Sequence, residues 1–188
     1  MASQRLILAS ASPRRLQLLR EAGWDVETSV SGVDEVEDAT FSPPGLALEN
    51  ARLKWRAVAP LHPGETVLAA DTVVWLEGRF FGKPTDRLDA VRMLLALVGR
   101  THCVVTGVLL GRFGGEVVEF AETSWVTFHA LGLREIDAYL DSIDPLDKAG
   151  GYAAQDDSGR LIAHIEGLVS NVVGLPVERL VGFSSPRP

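Results

Sequence analysis

The stretch from His102 to Ala130 constrains the fold most. Two strand-forming runs, HCVVTGVLLG and EVVEFAETSWVTFHA, flank the short segment RFGG and so predict one long β-hairpin. Helical and strand patterns alternate on either side of it. That combination indicates a mixed, twisted α/β sheet with flanking helices.

RLILA (5–9) reads as a strand, with Ser12 as N-cap and Pro13 at the first position of the helix that follows. Leu16 and Leu19 share one face of that helix, and Gly23 ends it. DVETSV (25–30) reads as a second strand and leads into the acidic loop SGVDEVEDATFS. Ser42 caps another helix, with Pro43 and Pro44 in its first turn, running to near Pro60. TVLAA (66–70) reads as a buried strand ending at Asp71, and VVWL continues it to a turn at EGR. Thr85 is the expected cap of a third helix, with Leu88, Val91, Leu95 and Val98 on its apolar stripe and Gly99 just past its end. After the hairpin come a short helix (LREIDAYLDSI), a strand (RLIAHIEG) and a closing segment (SNVVGLPVERL). No repeat, low-complexity tract or Pro/Ser linker divides the chain, so one domain over 1–188 is expected, with room for two lobes around a cleft.

The net charge of −7 disfavours a nucleic-acid backbone as partner, because neutralising phosphates requires a basic face. Any phosphate site must be local, built from a few placed cations and free N–H groups. Cys103 is the single cysteine, which excludes an intrachain disulfide and fits a reducing cytosol. The N-terminus carries only four consecutive apolar residues, too few for a secretion signal, and Asp71 interrupts VLAADTVVWL far below membrane-spanning length. The expectation is a cytoplasmic protein with no membrane partner.

Several polar residues stand out against this background. Arg14 and Arg15 sit in the first turn of a helix, where the dipole disfavours cations. A solvated helix turn accounts for them about as well as an anion site formed with Ser10, Ser12 and the free N–H groups. Asp71 interrupts a run of otherwise buried character, and the loop acids Asp34 and Glu35 add two carboxylates. Without histidine or thiolate nearby, carboxylates suit a hard cation or a general base. Lys83, in FGKPT, fails the P-loop pattern: only three residues separate Gly78 from Gly82, and Pro84 follows the lysine. It remains a lysine held in a rigid turn. Lys148 and Gln155 bracket KAGGYAAQ, where Gly150 and Gly151 allow close backbone approach and the glutamine amide can pair with a base edge. Alone, that segment reads as an ordinary glycine-rich loop. His102 and Cys103 are adjacent on a strand and point to opposite faces, so they form no dyad. GFSSP is no nucleophile elbow, and Trp24, Trp55, Trp75 and Trp125 read as core or half-buried residues.

Taken in order, LASASPRRLQLL, DE (34–35), LALENARLKWRA, AADTVV, GKPTD, GRTHCVVTGV, LDKAGGYAAQ and SNVVGLP resemble the Maf family of nucleotide pyrophosphatases over nearly the whole chain. AAQDD departs from the glycine-isoleucine-glutamine-glycine usual at that place. The resemblance implies a mixed α/β cleft like that of the inosine triphosphatases. It implies hydrolysis of dTTP and UTP to the monophosphate and pyrophosphate, a house-cleaning role and a link to division arrest. By the same resemblance Asp71 is the proton acceptor, and Lys54, Lys83 and Lys148 converge on the phosphates. Ser10, Arg14 and Arg15 face the substrate; Arg14, Thr72 and Gln155 set specificity. Glu35 and Asp71 are metal-associated acids for Mg²⁺ or Mn²⁺. A nucleoside triphosphate is the implied partner, with a homodimer left open. The rival reading is a non-catalytic nucleotide-binding regulator of septum formation, against which the retained Asp71, Glu35 and lysines count.

Overall fold

The computed structural model describes residues 5–183 except 156 and 158. Ser184 and Ser185 of GFSSP and Asp156 of AAQDD lie outside the described residues.

The chain forms strands β1 (Leu6–Leu8), β2 (Val26–Thr28), β3 (Thr66–Leu76), β4 (Arg79–Phe81), β5 (Thr101–Arg112), β6 (Val117–Phe128) and β7 (Ile162–Glu166). Its helices are α1 (Pro13–Glu21), α2 (Pro43–Val58), α3 (Arg87–Leu97), α4 (Leu133–Leu140) and the short α5 (Val169–Val173). The strands make one mixed sheet in the order β2-β1-β3-β5-β6-β7, with β4 paired to β3. β2, β1 and β3 run parallel, and the pairs from β3 through β7 are antiparallel. The expected hairpin is β5–β6.

Strand alternation decides what each helix covers. Leu6, Leu8, Leu68 and Ala70 pack on one face with Leu19 of α1. Ile7, Ala9, Val67 and Ala69 pack on the other, against Ala51, Trp55 and Val58 of α2. A third cluster joins Val74, Val104 and Val126 to Leu94 and Leu97 of α3 and to Ile136 and Tyr139 of α4.

Gly107 brings α2 close to the sheet. A Cβ there would lie 2.5 Å from the Ala47 carbonyl carbon and the Leu48 nitrogen, so only glycine permits this approach. Gly107 is also the register partner of Asp71 across β3–β5. This close helix–sheet approach is thus set beside the residue that interrupts the apolar strand.

Four expectations are corrected. β3 does not end at Asp71 but continues to Leu76, which places Asp71 near its middle. Asp86, not Thr85, caps α3: its carboxylate accepts from Asp89 N at 2.8 Å, while Thr85 N donates to the Asp89 carboxylate. The buried face of α3 is Ala90, Val91, Met93, Leu94 and Leu97, and Leu88 and Leu95 are exposed. Trp125 is exposed, whereas Trp55 is buried and donates to Val67 O.

Candidate active site

A charged residue in mid-strand needs a compensating partner on the face it points to. Odd-numbered β3 residues face α2, and Asp71 is one of them. Lys54, on α2, donates to Asp71 Oδ1 at 2.7 Å. The same ammonium lies 2.6 Å from Glu35 Oε1 in the acidic loop. Asn50 stands one helical turn before Lys54, on the same face. Its Nδ2 donates to Asp71 Oδ2 and to Val36 O, both at 3.2 Å, and its Oδ1 accepts from Val36 N at 2.7 Å. Asn50 therefore ties the loop that carries Glu35 to the strand that carries Asp71. Burial pushes the Glu35 carboxyl up, but the Lys54 ammonium, with Lys83 and Arg15 behind it, outweighs burial and holds the carboxyl below the ordinary glutamate value.

Thr72, the next residue, faces the opposite way. Its hydroxyl accepts from Arg15 NH2 at 3.0 Å and lies 2.9 Å from Thr106 Oγ1. Arg15 is buried, and its Nε and NH1 donate to Gly174 O and Ser10 Oγ at 2.9 and 3.1 Å. Each guanidinium nitrogen thus has a protein acceptor, and α1, β3 and the turn after α5 are pinned together. Burial lowers the Arg15 pKa, with Asp71 and Glu35 opposing it. Of the two arginines, Arg14 is the more exposed one. It donates to Asp147 Oδ2 at 2.8 Å and to Asp147 O at 3.2 Å. Lys148 donates to Asp147 Oδ1 at 2.5 Å and to Asp144 O at 2.6 Å.

These groups line one cleft of about 970 Å³, a size suited to a small molecule. It takes in Ser10, Arg14, Arg15, Glu35, Lys54, Asp71, Thr72, Lys83, Lys148 and Gln155, so every site residue expected from the sequence borders it. Lys83 and Gln155 are exposed at its margin. Gly82 O accepts from Gly150 N at 2.9 Å, which joins the Lys83 turn to the glycine loop. Tyr152 also borders the cleft, and its hydroxyl lies 3.0 Å from His102 Nε2. Burial drives the His102 pKa down to about 4, so the ring is neutral near pH 7. Asn50 and Asp147 fall inside the segments LALENARLKWRA and LDKAGGYAAQ, but the sequence reading gives neither a role of its own. Asn50 has one further legible signal, the four-residue spacing to Lys54 on an otherwise apolar face.

Among the described residues no cluster of three or more histidine, cysteine or acidic side chains forms a closed metal site. Glu35 and Asp71 are nevertheless carboxylates on either side of one ammonium at the cleft. That donor set fits a hard divalent cation of the kind held by one or two carboxylates together with substrate phosphates.

The chain matches the family model of the Maf-like proteins over residues 5–184. A protein of Symbiobacterium thermophilum named dTTP/UTP pyrophosphatase is 46% identical over 178 residues, which is 95% of this chain and 91% of that one. A Bacillus anthracis protein of the same name is 44% identical, covering 95% and 93%. Among solved structures, the Ham1 protein of Staphylococcus aureus aligns over 84% of this chain and 90% of its own, at 16% identity and a TM-score of 0.46. No described helix is long and apolar enough to cross a membrane.

Proposed function

The chain belongs to the Maf-like protein family, and from that membership we propose that it is a nucleoside triphosphate pyrophosphatase that converts dTTP and UTP to the monophosphate and pyrophosphate. The relatives that carry the name dTTP/UTP pyrophosphatase share nearly its full length. The observation that carries the reading is the buried Asp71 carboxylate, 5% exposed, in a cleft also lined by Arg14, Lys83 and Lys148.

Phosphoryl displacement asks a protein mainly for positioning and charge stabilisation. Arg14, Lys83 and Lys148 would hold the β- and γ-phosphates and so stabilise the departing pyrophosphate. Asp71 would take the proton of the water that attacks the α-phosphorus. Each of its oxygens accepts one hydrogen bond, from Lys54 or Asn50, and so keeps a second lone pair for that proton. Glu35 and Asp71 would hold a divalent cation, Mg²⁺ or Mn²⁺, which when bound supplies charge neutralisation at the phosphates. Gln155, at the margin of the cleft, would read the pyrimidine edge. The proposed setting is the cytoplasm and the role is removal of unwanted nucleotides.

A panel of nucleoside triphosphates assayed for pyrophosphate release with Mg²⁺ and with Mn²⁺ tests the reading. Preference for dTTP and UTP supports it. Binding of these nucleotides without turnover would favour a sensor of septum formation instead.

A further inference from the structure

We propose that Asp147 is a resident competitor for the phosphate-binding cations, a carboxylate that holds Arg14 and Lys148 between turnovers and takes them back from the pyrophosphate product. The identity of the anion rests on the pyrophosphatase reading; the role of Asp147 rests on its contacts.

The two oxygens of this carboxylate are divided between two cations from different elements. Oδ2 accepts from Arg14 of α1, and Oδ1 accepts from Lys148 of the loop that leads to the glycine turn. One anion that accepts charge-assisted bonds from both sides presents the donor pattern a phosphate group would meet there. The hydrogen bonds from these cations outweigh burial and hold the Asp147 carboxyl below the ordinary aspartate value, so it is ionised near pH 7.

The carboxylate is not what places the cations. Arg14 is also tethered through NH2 to the Asp147 carbonyl, and Lys148 through the same Nζ to the Asp144 carbonyl. Both backbone tethers survive loss of the carboxylate. Its remaining effect is to neutralise charge, and that opposes the binding of any other anion. The carboxylate is also free to be exchanged. The Asp147 side chain is 47% exposed, against 11% for Lys148, 20% for Arg14 and 7% for Asp71, so it can turn to water while an incoming anion takes over the more covered cations. Polyanion binding would therefore displace Asp147 at small cost, while the buried Lys54–Asp71 pair stays in place.

The test is isothermal titration of the whole protein with pyrophosphate, with and without Mg²⁺, comparing wild type with Asp147→Asn and Asp147→Ser. Both variants should bind pyrophosphate roughly fivefold more tightly, and product inhibition of UTP hydrolysis should strengthen in parallel. Thermal midpoints within a degree or two of wild type confirm the fold, and the serine variant covers any amide-specific contact. Unchanged or weaker pyrophosphate binding in both variants would overturn the proposal and show that the carboxylate aligns the cations. The titration needs no turnover, so absence of UTP hydrolysis by wild type would count against the pyrophosphatase reading and leave the judgement on Asp147 intact.

Discussion

Lys54 donates a 2.7 Å hydrogen bond to Asp71 Oδ1, and both side chains are less than a tenth exposed. Each carboxylate oxygen accepts one hydrogen bond, from Lys54 or Asn50, and so keeps a second lone pair. The two members of the pair should therefore fail differently. Asp71→Asn keeps the shape and leaves Lys54 its Glu35 partner at 2.6 Å, so it should lower UTP turnover by about 10²–10⁴-fold with a smaller loss of stability than Lys54→Met. Lys54→Met leaves Asp71 buried without its cation and should destabilise by about 3–5 kcal/mol. Steady-state assays and urea unfolding of both variants check this, and a well-folded Asp71→Asn with near-wild-type turnover would remove Asp71 from its role.

Gln155 borders the cleft with both a carbonyl and an amide to offer. Replacing the amide by a carboxylate removes its donors and leaves one base edge unpaired, at about 1–3 kcal/mol. Gln155→Glu should lower kcat/KM for dTTP and UTP by about tenfold or more, and for purine substrates by less. Equal losses across all four bases would show that Gln155 does not read the base.

Gly107 leaves no room for a side chain, because a Cβ would meet the α2 backbone at 2.5 Å. Gly107→Ala should push α2 outward and displace Asn50 and Lys54 from Asp71. Overpacking of this kind costs about 1–3 kcal/mol. The expected signature is a drop in the urea midpoint together with lost turnover, both larger than for Gly115→Ala at the hairpin tip, where the backbone is not left-handed and the added Cβ would meet no atom closer than 3.5 Å.

His102 gives stability an acid limb. Burial lowers its folded pKa to about 4, from the ordinary 6.5. Between those values the unfolded chain binds the proton that the folded chain refuses, so stability is full above pH 6.5 and falls as pH drops toward 4. The difference is worth about 3 kcal/mol at most. Urea unfolding from pH 7 to 4 should show this loss, and His102→Gln should flatten it. A slope identical to wild type in that variant would assign the acid limb to other groups.

Much of this architecture was legible where local chemistry was unambiguous. Ser12 and Pro13 marked the start of α1, and the two strand-forming runs around RFGG marked the β5–β6 hairpin. The expectations that failed did so for tertiary reasons. A carboxylate within an apolar run reads as a strand end, yet Asp71 lies mid-strand because Lys54, 17 residues earlier, reaches it from α2. Leu88 and Leu95 match helical periodicity, but α3 turns Leu94 and Leu97 toward the sheet and α4. Thr85 and Asp86 are both competent caps, and only the reciprocal bonds with Asp89 choose between them. The paired arginines were visible, but not their division of labour. Arg15 is spent on Gly174, Ser10 and Thr72 inside the protein, and Arg14 is turned to the cleft and Asp147.

Hydrolysis of UTP in ¹⁸O-labelled water shows which phosphorus the water attacks. With Asp71 as proton acceptor and Arg14, Lys83 and Lys148 on the outer phosphates, the label should appear in UMP and the unlabelled product should be pyrophosphate. UDP with labelled orthophosphate as initial products would mean attack at the γ-phosphorus, and the protein would not be a pyrophosphatase. Label in pyrophosphate would mean attack at the β-phosphorus, and Asp71 would then be activating water at a different phosphate.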